Sequence, residues 1–169
     1  MLVAHKSINY MMTKRLLFLM LFSFFAFAVI AQDDIGIYEK LDEYIPEGLE
    51  FTDETGQTHI LTELIDKPTV ISLVYYNCPG ICSPLLDGVA DVIDRADLVL
   101  GSDYQVLTIS FNWEENWQLG RDKKVNYLKQ VNKEINESQW KFMTGDSVNV
   151  NRLVESLGFA FKKEGKDFI

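Results

Sequence analysis

The chain has 169 residues, 47% of them hydrophobic and 24% charged, with 16 basic against 25 acidic side chains and a formal net charge of −9. That length supports one domain around a single core. So acidic a surface argues against nucleic acid and against charge-driven docking on anionic lipid.

In chain order, the first feature is Lys14-Arg15 followed by Leu16 to Ala31, an apolar run broken only by Ser23, and then polar Gln32-Asp33-Asp34. A basic start, a short apolar stretch and small residues at Val29 and Ala31 are the pattern of a secretory signal. The run is shorter than the ~20 residues a spanning helix needs. Residues 1–31 therefore read as a signal peptide, with an uncleaved N-terminal membrane anchor as the alternative, and Met12 suits a start better than Met1. No cysteine lies in this leader, which removes a lipoprotein-type acylation site. Export is the expectation, into the periplasm or onto the inner membrane facing it. Removing residues 1–31 takes away Lys6, Lys14 and Arg15 and no acid, moving the formal charge from −9 to −12. In an oxidising space a bare dithiol is hard to keep reduced without help, so a protein thiol reductant is a candidate partner.

Residues 32–169 form the expected folded domain. Leu49 to Phe51 and Thr58 to Leu61 flank Asp53-Glu54-Thr55-Gly56 and suit a hairpin. Lys67-Pro68 closes a short helical turn and launches Thr69 to Tyr76, whose apolar and β-branched run fits a central strand covered on both faces. Next come Cys78-Pro79-Gly80-Ile81-Cys82, which hold both cysteines of the chain. Leu85, Leu86, Val89, Ala90, Val92 and Ile93 then recur at helical spacing among Asp87, Asp91, Asp94 and Arg95. Tyr104 to Phe111 reads as a second buried strand, Glu115 to Ile135 as a long surface helix and Trp140 to Met143 as a third strand. A helix over Ser147 to Leu157 follows, with Asp146 or Ser147 as N-cap and Gly158 as C-cap. Strand, helix, strand, helix, strand implies right-handed crossovers and a mostly parallel sheet. With a cysteine pair at the first crossover, the expected fold class is α/β and thioredoxin-like, with an N-terminal β-hairpin extension.

The chemistry concentrates at the crossover. Pro79 suits the first position of a helix. Cys78 would then sit where free amide N–H groups and the helix dipole favour a thiolate. Cys82, four residues on, would share its face if the first turn is helical. Two soft sulfurs aimed at one spot can close a disulfide, hold a soft metal such as Cu(I), or do each at different times.

Tyr44-Ile45-Pro46, Phe51-Thr52-Asp53, Lys67-Pro68, the strand into Cys78-Pro79-Gly80-Ile81-Cys82, and Pro84-Leu85-Leu86 resemble the Sco/SenC family of exported copper chaperones, over roughly residues 37–169. The three-residue gap between the cysteines is the strongest element, since thioredoxins typically use two. The resemblance implies a Cu(I) site built from Cys78, Cys82 and a late histidine, and delivery of copper to, or reduction of, the copper centre of cytochrome c oxidase subunit II. No histidine here matches that third ligand: His5 is in the leader, and His59 reads as an ordinary hairpin residue. The family histidine is expected beyond Ile169, with the C-terminal elements of the domain missing after Lys166-Asp167-Phe168-Ile169 and no final hairpin. Asn112-Trp113-Glu114-Glu115 stands where the family often carries aspartate and proline. Trp113 and Trp117 are expected to cap the sheet edge, an exposed docking patch being the alternative. Phe159 and Phe161 are expected in the core.

Two other readings use the same sulfurs. A thiol:disulfide oxidoreductase would employ Cys78 as nucleophile and Cys82 as resolving thiol, cycling through a redox-active disulfide; the absence of any proline after Pro84 weakens it, and a peroxidase is weaker still because the Thr or Pro context of a peroxidatic cysteine is missing. A purely structural Cys78–Cys82 staple would stabilise by only about 2 kcal/mol for so short a loop. Zinc normally asks for four ligands, which the pair does not approach.

Overall fold

The computed structural model describes residues 35–165, 167 and 168; the leader lies outside them. Its elements in chain order are β1 (Gly36–Ile37), β2 (Glu50–Thr52), β3 (Thr58–Ile60), α1 (Leu61–Leu64), β4 (Thr69–Val74), α2 (Cys82–Arg95) and β5 (Gln105–Ser110). There follow α3 (Trp117–Leu128), a 3-10 turn (Glu137–Gln139), β6 (Trp140–Met143), α4 (Ser147–Ser156), β7 (Phe159–Ala160), β8 (Lys163–Glu164) and β9 (Asp167–Phe168).

Strands β4, β5 and β6 form a parallel sheet in that order, with Ser72 beside Thr108 and Thr108 beside Phe142. All six residues of β5 are buried, as a central strand between two crossovers requires. Such a strand has polar residues only where they find partners. Thr108 supplies the case: its hydroxyl meets Ser72 Oγ at 2.8 Å and accepts from Trp140 Nε1 at 3.0 Å, a buried polar thread across all three strands.

The expected hairpin is β2–β3, antiparallel, turning through Gly56 at φ +87°. It joins the sheet where Thr52 and Thr144 exchange backbone hydrogen bonds of 2.8 and 2.9 Å. Buried ions lock the junction further: Lys124 donates to Glu54, which also accepts from Phe142 N, and Asp53 takes Lys141 and His59. Burial alone would push the Asp53 carboxyl up, but donors from Thr55, His59 and Gln57 outweigh it and hold the group well below the usual carboxylate range. Gly145 lets this dock close, since a Cβ there would stand 2.6 Å from the Phe51 ring.

Several boundaries differ from expectation, each for a physical reason. Strand β4 stops at Val74, two residues early, because the amides of Tyr76 and Asn77 are taken by a side chain described below. The long helix begins at Trp117, capped by Asn116, which accepts from Leu119 N, and ends at Leu128 rather than Ile135. Beyond it Asp94 of α2 captures Asn132 N and Lys133 N at 2.7 and 2.8 Å and draws the chain out of helical register. Nor is α3 purely a surface helix: Gly120, Lys124 and Tyr127 are buried. Asp146, not Ser147, caps α4. Gly158 follows that helix at φ +67°, and a Cβ there would collide with Tyr38 O, whose own amide bonds back to Gly158. That contact belongs to a β1–β7 pair the sequence reading did not foresee. The chain also ends its described part in a short hairpin, β8–β9, where none was expected.

Candidate thiol site

Seven residues, Tyr75 to Ile81, link β4 to α2 and carry the reactive pair's surroundings. Expectation put Pro79 in the first helical position, yet α2 starts only at Cys82. The reason is the second proline. Starting at Cys82 places Pro84 in the first turn, where its missing N–H costs nothing; starting at Pro79 would set Pro84 deeper, losing a hydrogen bond and forcing a clash. Cys78 thus lies in a turn, its N–H bonded to Tyr75 O at 3.1 Å, and not on a helix.

The sulfurs nevertheless interact. Cys78 is half-buried and Cys82 buried, both as free thiols, and each sulfur acts on the ionisation of the other. Backbone N–H groups of Cys82 and Gly80 aim at the Cys78 sulfur, the latter at 3.4 Å, and the Tyr75 hydroxyl reaches it from the side. Burial pushes the Cys78 thiol up, but Cys82 and these donors favour the anion and leave it below an ordinary cysteine. Cys82 goes the other way: burial, then the neighbouring sulfur, push it up to about 12. One sulfur is therefore poised to react and its partner is held protonated.

These values predict selective labelling. Iodoacetamide added to the reduced protein near neutral pH is expected to modify Cys78 fast and Cys82 only slowly, with the Cys78 rate reaching half its maximum below the ~8.5 of a free cysteine. Peptide mapping by mass spectrometry reads the result; equal rates at the two positions would refute the asymmetry.

An aromatic cluster walls one side of the loop. The Tyr75 ring lies 5.5 Å from Phe111 and 5.3 Å from Phe168, and Phe111 gathers Phe159 and Phe161 at 5.3 and 5.0 Å. Trp113 packs on Phe168 at 5.8 Å, with Lys163 over its ring and paired to Glu114. Trp117 lies elsewhere, against Gly56 of the hairpin with Arg121 over it. The two tryptophans are half-buried and separate, so they form no common docking patch. Phe159 and Phe161 pack against the core as expected.

His59 is not drawn to the sulfurs; its Nε2 bonds Asp53 Oδ2 at 2.7 Å. Among the described residues no group of three or more His, Cys, Asp or Glu side chains is arranged to hold a metal. His5 is outside them, and the histidine expected past Ile169 is outside the sequence. What the chain itself offers is a pair of soft donors, which fits a soft monovalent ion and not the four-ligand cage of a structural zinc. Sequence reasoning missed Tyr75 and Glu115. Neither stands in a motif, and Glu115 looked like one more charge opening a surface helix.

A parallel α/β sheet with a thiol pair at the crossover from β4 to α2 defines a thioredoxin-like dithiol protein. The chain belongs to the SCO1/SenC family, whose model matches residues 39–167. Among solved structures it is similar to a candidate electron transfer protein from Aquifex aeolicus VF5, at 24% identity and TM-score 0.66, covering 77% of this chain and 73% of that one. It is similar to Bradyrhizobium japonicum ScoI with copper bound, at 22% identity and TM-score 0.53, covering 73% and 74% of the two chains. BsSco, a member of the Sco family of cytochrome c oxidase assembly proteins with an identified disulfide switch, matches at 18% identity and TM-score 0.57, covering 79% and 75%. At such identities the likeness concerns the fold. No curated protein sequence matches the chain.

Proposed function

We propose that this protein is an exported Cu(I) carrier that holds its cargo through Cys78 and Cys82 and hands it to the copper centre of cytochrome c oxidase subunit II. The observation that carries the reading is the pairing of a half-exposed sulfur with thiolate character and a buried one, in a SCO1/SenC chain. A copper-bound ScoI among the structural neighbours supports the choice of metal, and BsSco supports an assembly role. The leader at residues 14–31 supports export, whether it is cleaved or kept as an anchor.

Release by ligand exchange suits this geometry. A thiolate or thioether of the recipient approaches on the open Cys78 side, joins the two sulfurs around the ion, and displaces them one at a time, so copper is never free. Cys82 takes a proton as it lets go, in keeping with the burial that disfavours its anion.

The oxidoreductase reading rests on the same asymmetry. Cys78 thiolate would attack a partner disulfide, forming a mixed disulfide and expelling one partner thiolate; Cys82, losing its proton, would then close the Cys78–Cys82 bond and free the second. The partner gains two electrons and the pair loses them. Anaerobic titration of the reduced protein with Cu(I) against a competing chelator separates the two. One tightly held ion per chain is the expected result. A metal-free dithiol that exchanges rapidly with disulfides and loses copper to the chelator would replace the carrier by the reductase.

A further inference from the structure

Glu115 is buried beneath the thiol loop, and both of its carboxylate oxygens are engaged. Oε2 accepts from Tyr76 N and Ser110 Oγ, each at 2.7 Å, and Oε1 accepts from Asn77 N at 2.8 Å. Tyr76 and Asn77 are the two residues before Cys78. Their amides would otherwise point into the core without a strand to pair with, since β4 has already ended. Among the described residues no lysine, arginine or histidine forms an ion pair with this carboxylate. An acid buried on hydrogen bonds alone is costly, and three donors converging on one carboxylate are what make it tolerable.

The surroundings tie it to the loop rather than to general packing. Ser110, the last residue of β5, also accepts from Asn112 N, and Glu115 N bonds Asn112 O. Glu115 is thus fixed to the end of the central strand by its own backbone turn. On the other side Tyr76 is anchored in the core through its hydroxyl to Met143 O at 2.8 Å. The carboxylate connects two rigid points, and only Pro79-Gly80-Ile81 separates Cys78 from α2.

We infer that Glu115 is the positioning residue of the thiol pair: by clamping the amides of Tyr76 and Asn77 it fixes the loop that carries Cys78 beside Cys82, presetting both ring closure and two-sulfur chelation. The chelation half rests on the copper reading above; the ring-closure half does not.

The test is the midpoint potential of the Cys78–Cys82 disulfide, set against glutathione redox buffers in the metal-free full chain. Glu115→Gln places an amide NH2 against one of the facing donors, most simply Asn77 N–H, while leaving an oxygen for the others, and removes the charge. It is expected to lower the equilibrium constant for disulfide formation at least tenfold, about 30 mV toward the oxidising side for a two-electron couple. Glu115→Ala should shift further, and if it does not fold the glutamine variant still decides. Val154→Ala in α4, away from the loop, should lower stability and leave the potential unchanged. A folded Glu115→Gln protein with the wild-type potential overturns the inference, as does a Val154→Ala shift of equal size, which would mark the effect as general loosening. Wild-type protein that fails to hold Cu(I) would sink the carrier reading and leave these potentials standing.

Discussion

Cys78→Ser and Cys82→Ser are each expected to lose Cu(I) retention by more than the roughly 10–100-fold that removal of an outer-shell partner costs at a metal site. A serine hydroxyl is a hard, un-ionised donor and no substitute for a soft thiolate toward Cu(I). Each substitution also turns a two-point grip into a single bond, so the advantage of chelation vanishes along with the sulfur. The two variants should differ in how they fail. Cys82→Ser keeps the open, reactive Cys78, which still alkylates fast but no longer retains metal against a chelator. Cys78→Ser keeps only a buried thiol and should be slow in both assays. Wild-type affinity in either variant would remove thiolate chelation at this pair.

Trp140→Ala is expected to destabilise the fold by about 3–5 kcal/mol, the range for deleting a large buried aromatic side chain. Trp140 is wholly buried, packs on Phe142 at a centroid distance of 5.2 Å and donates its indole N–H to Thr108. Removing it opens a void and takes away one of the two partners of a buried hydroxyl. Against a typical total of about 5–15 kcal/mol, such a loss leaves little reserve. Urea unfolding followed by far-UV circular dichroism measures it, and a change under about 1 kcal/mol would contradict the packing described. Trp140→Phe should cost less, because most of the volume stays and Thr108 keeps Ser72.

The strands were legible because burial leaves its mark on composition. Val70 to Val74, broken only by Ser72, and Val106 to Ile109 are apolar or β-branched, and both became strands of the parallel sheet; β5 is its centre, but β4 is not the central, doubly covered strand expected, since it lies at the edge and leaves Val70 half exposed. The hairpin showed itself through Asp53 and Gly56. The thiol site was legible as two cysteines and a family likeness, and the SCO1/SenC match over residues 39–167 bears the likeness out. What escaped depends on partners far along the chain. Pro79 and Pro84 compete for the first turn of one helix, and only the register of α2 decides between them. The end of α3 is decided by Asp94, 38 positions from Asn132. Glu115 reaches across 39 positions to Tyr76, and no local pattern distinguishes it from its neighbour Glu114, which faces solvent and pairs with Lys163. Two-residue strands such as β1 and β7 are too short to carry a period at all.

Cys82 opens helix α2 with its thiol turned inward, while Cys78 stands beside it half in water. A reagent that reaches the inner sulfur other than past Cys78 does so when the first turn of that helix lifts. Unfastening one turn is a local event, cheaper than global unfolding and independent of it. On the carrier reading proposed above, helix propensity at Ser83 and Pro84 would then bear on how long cargo stays.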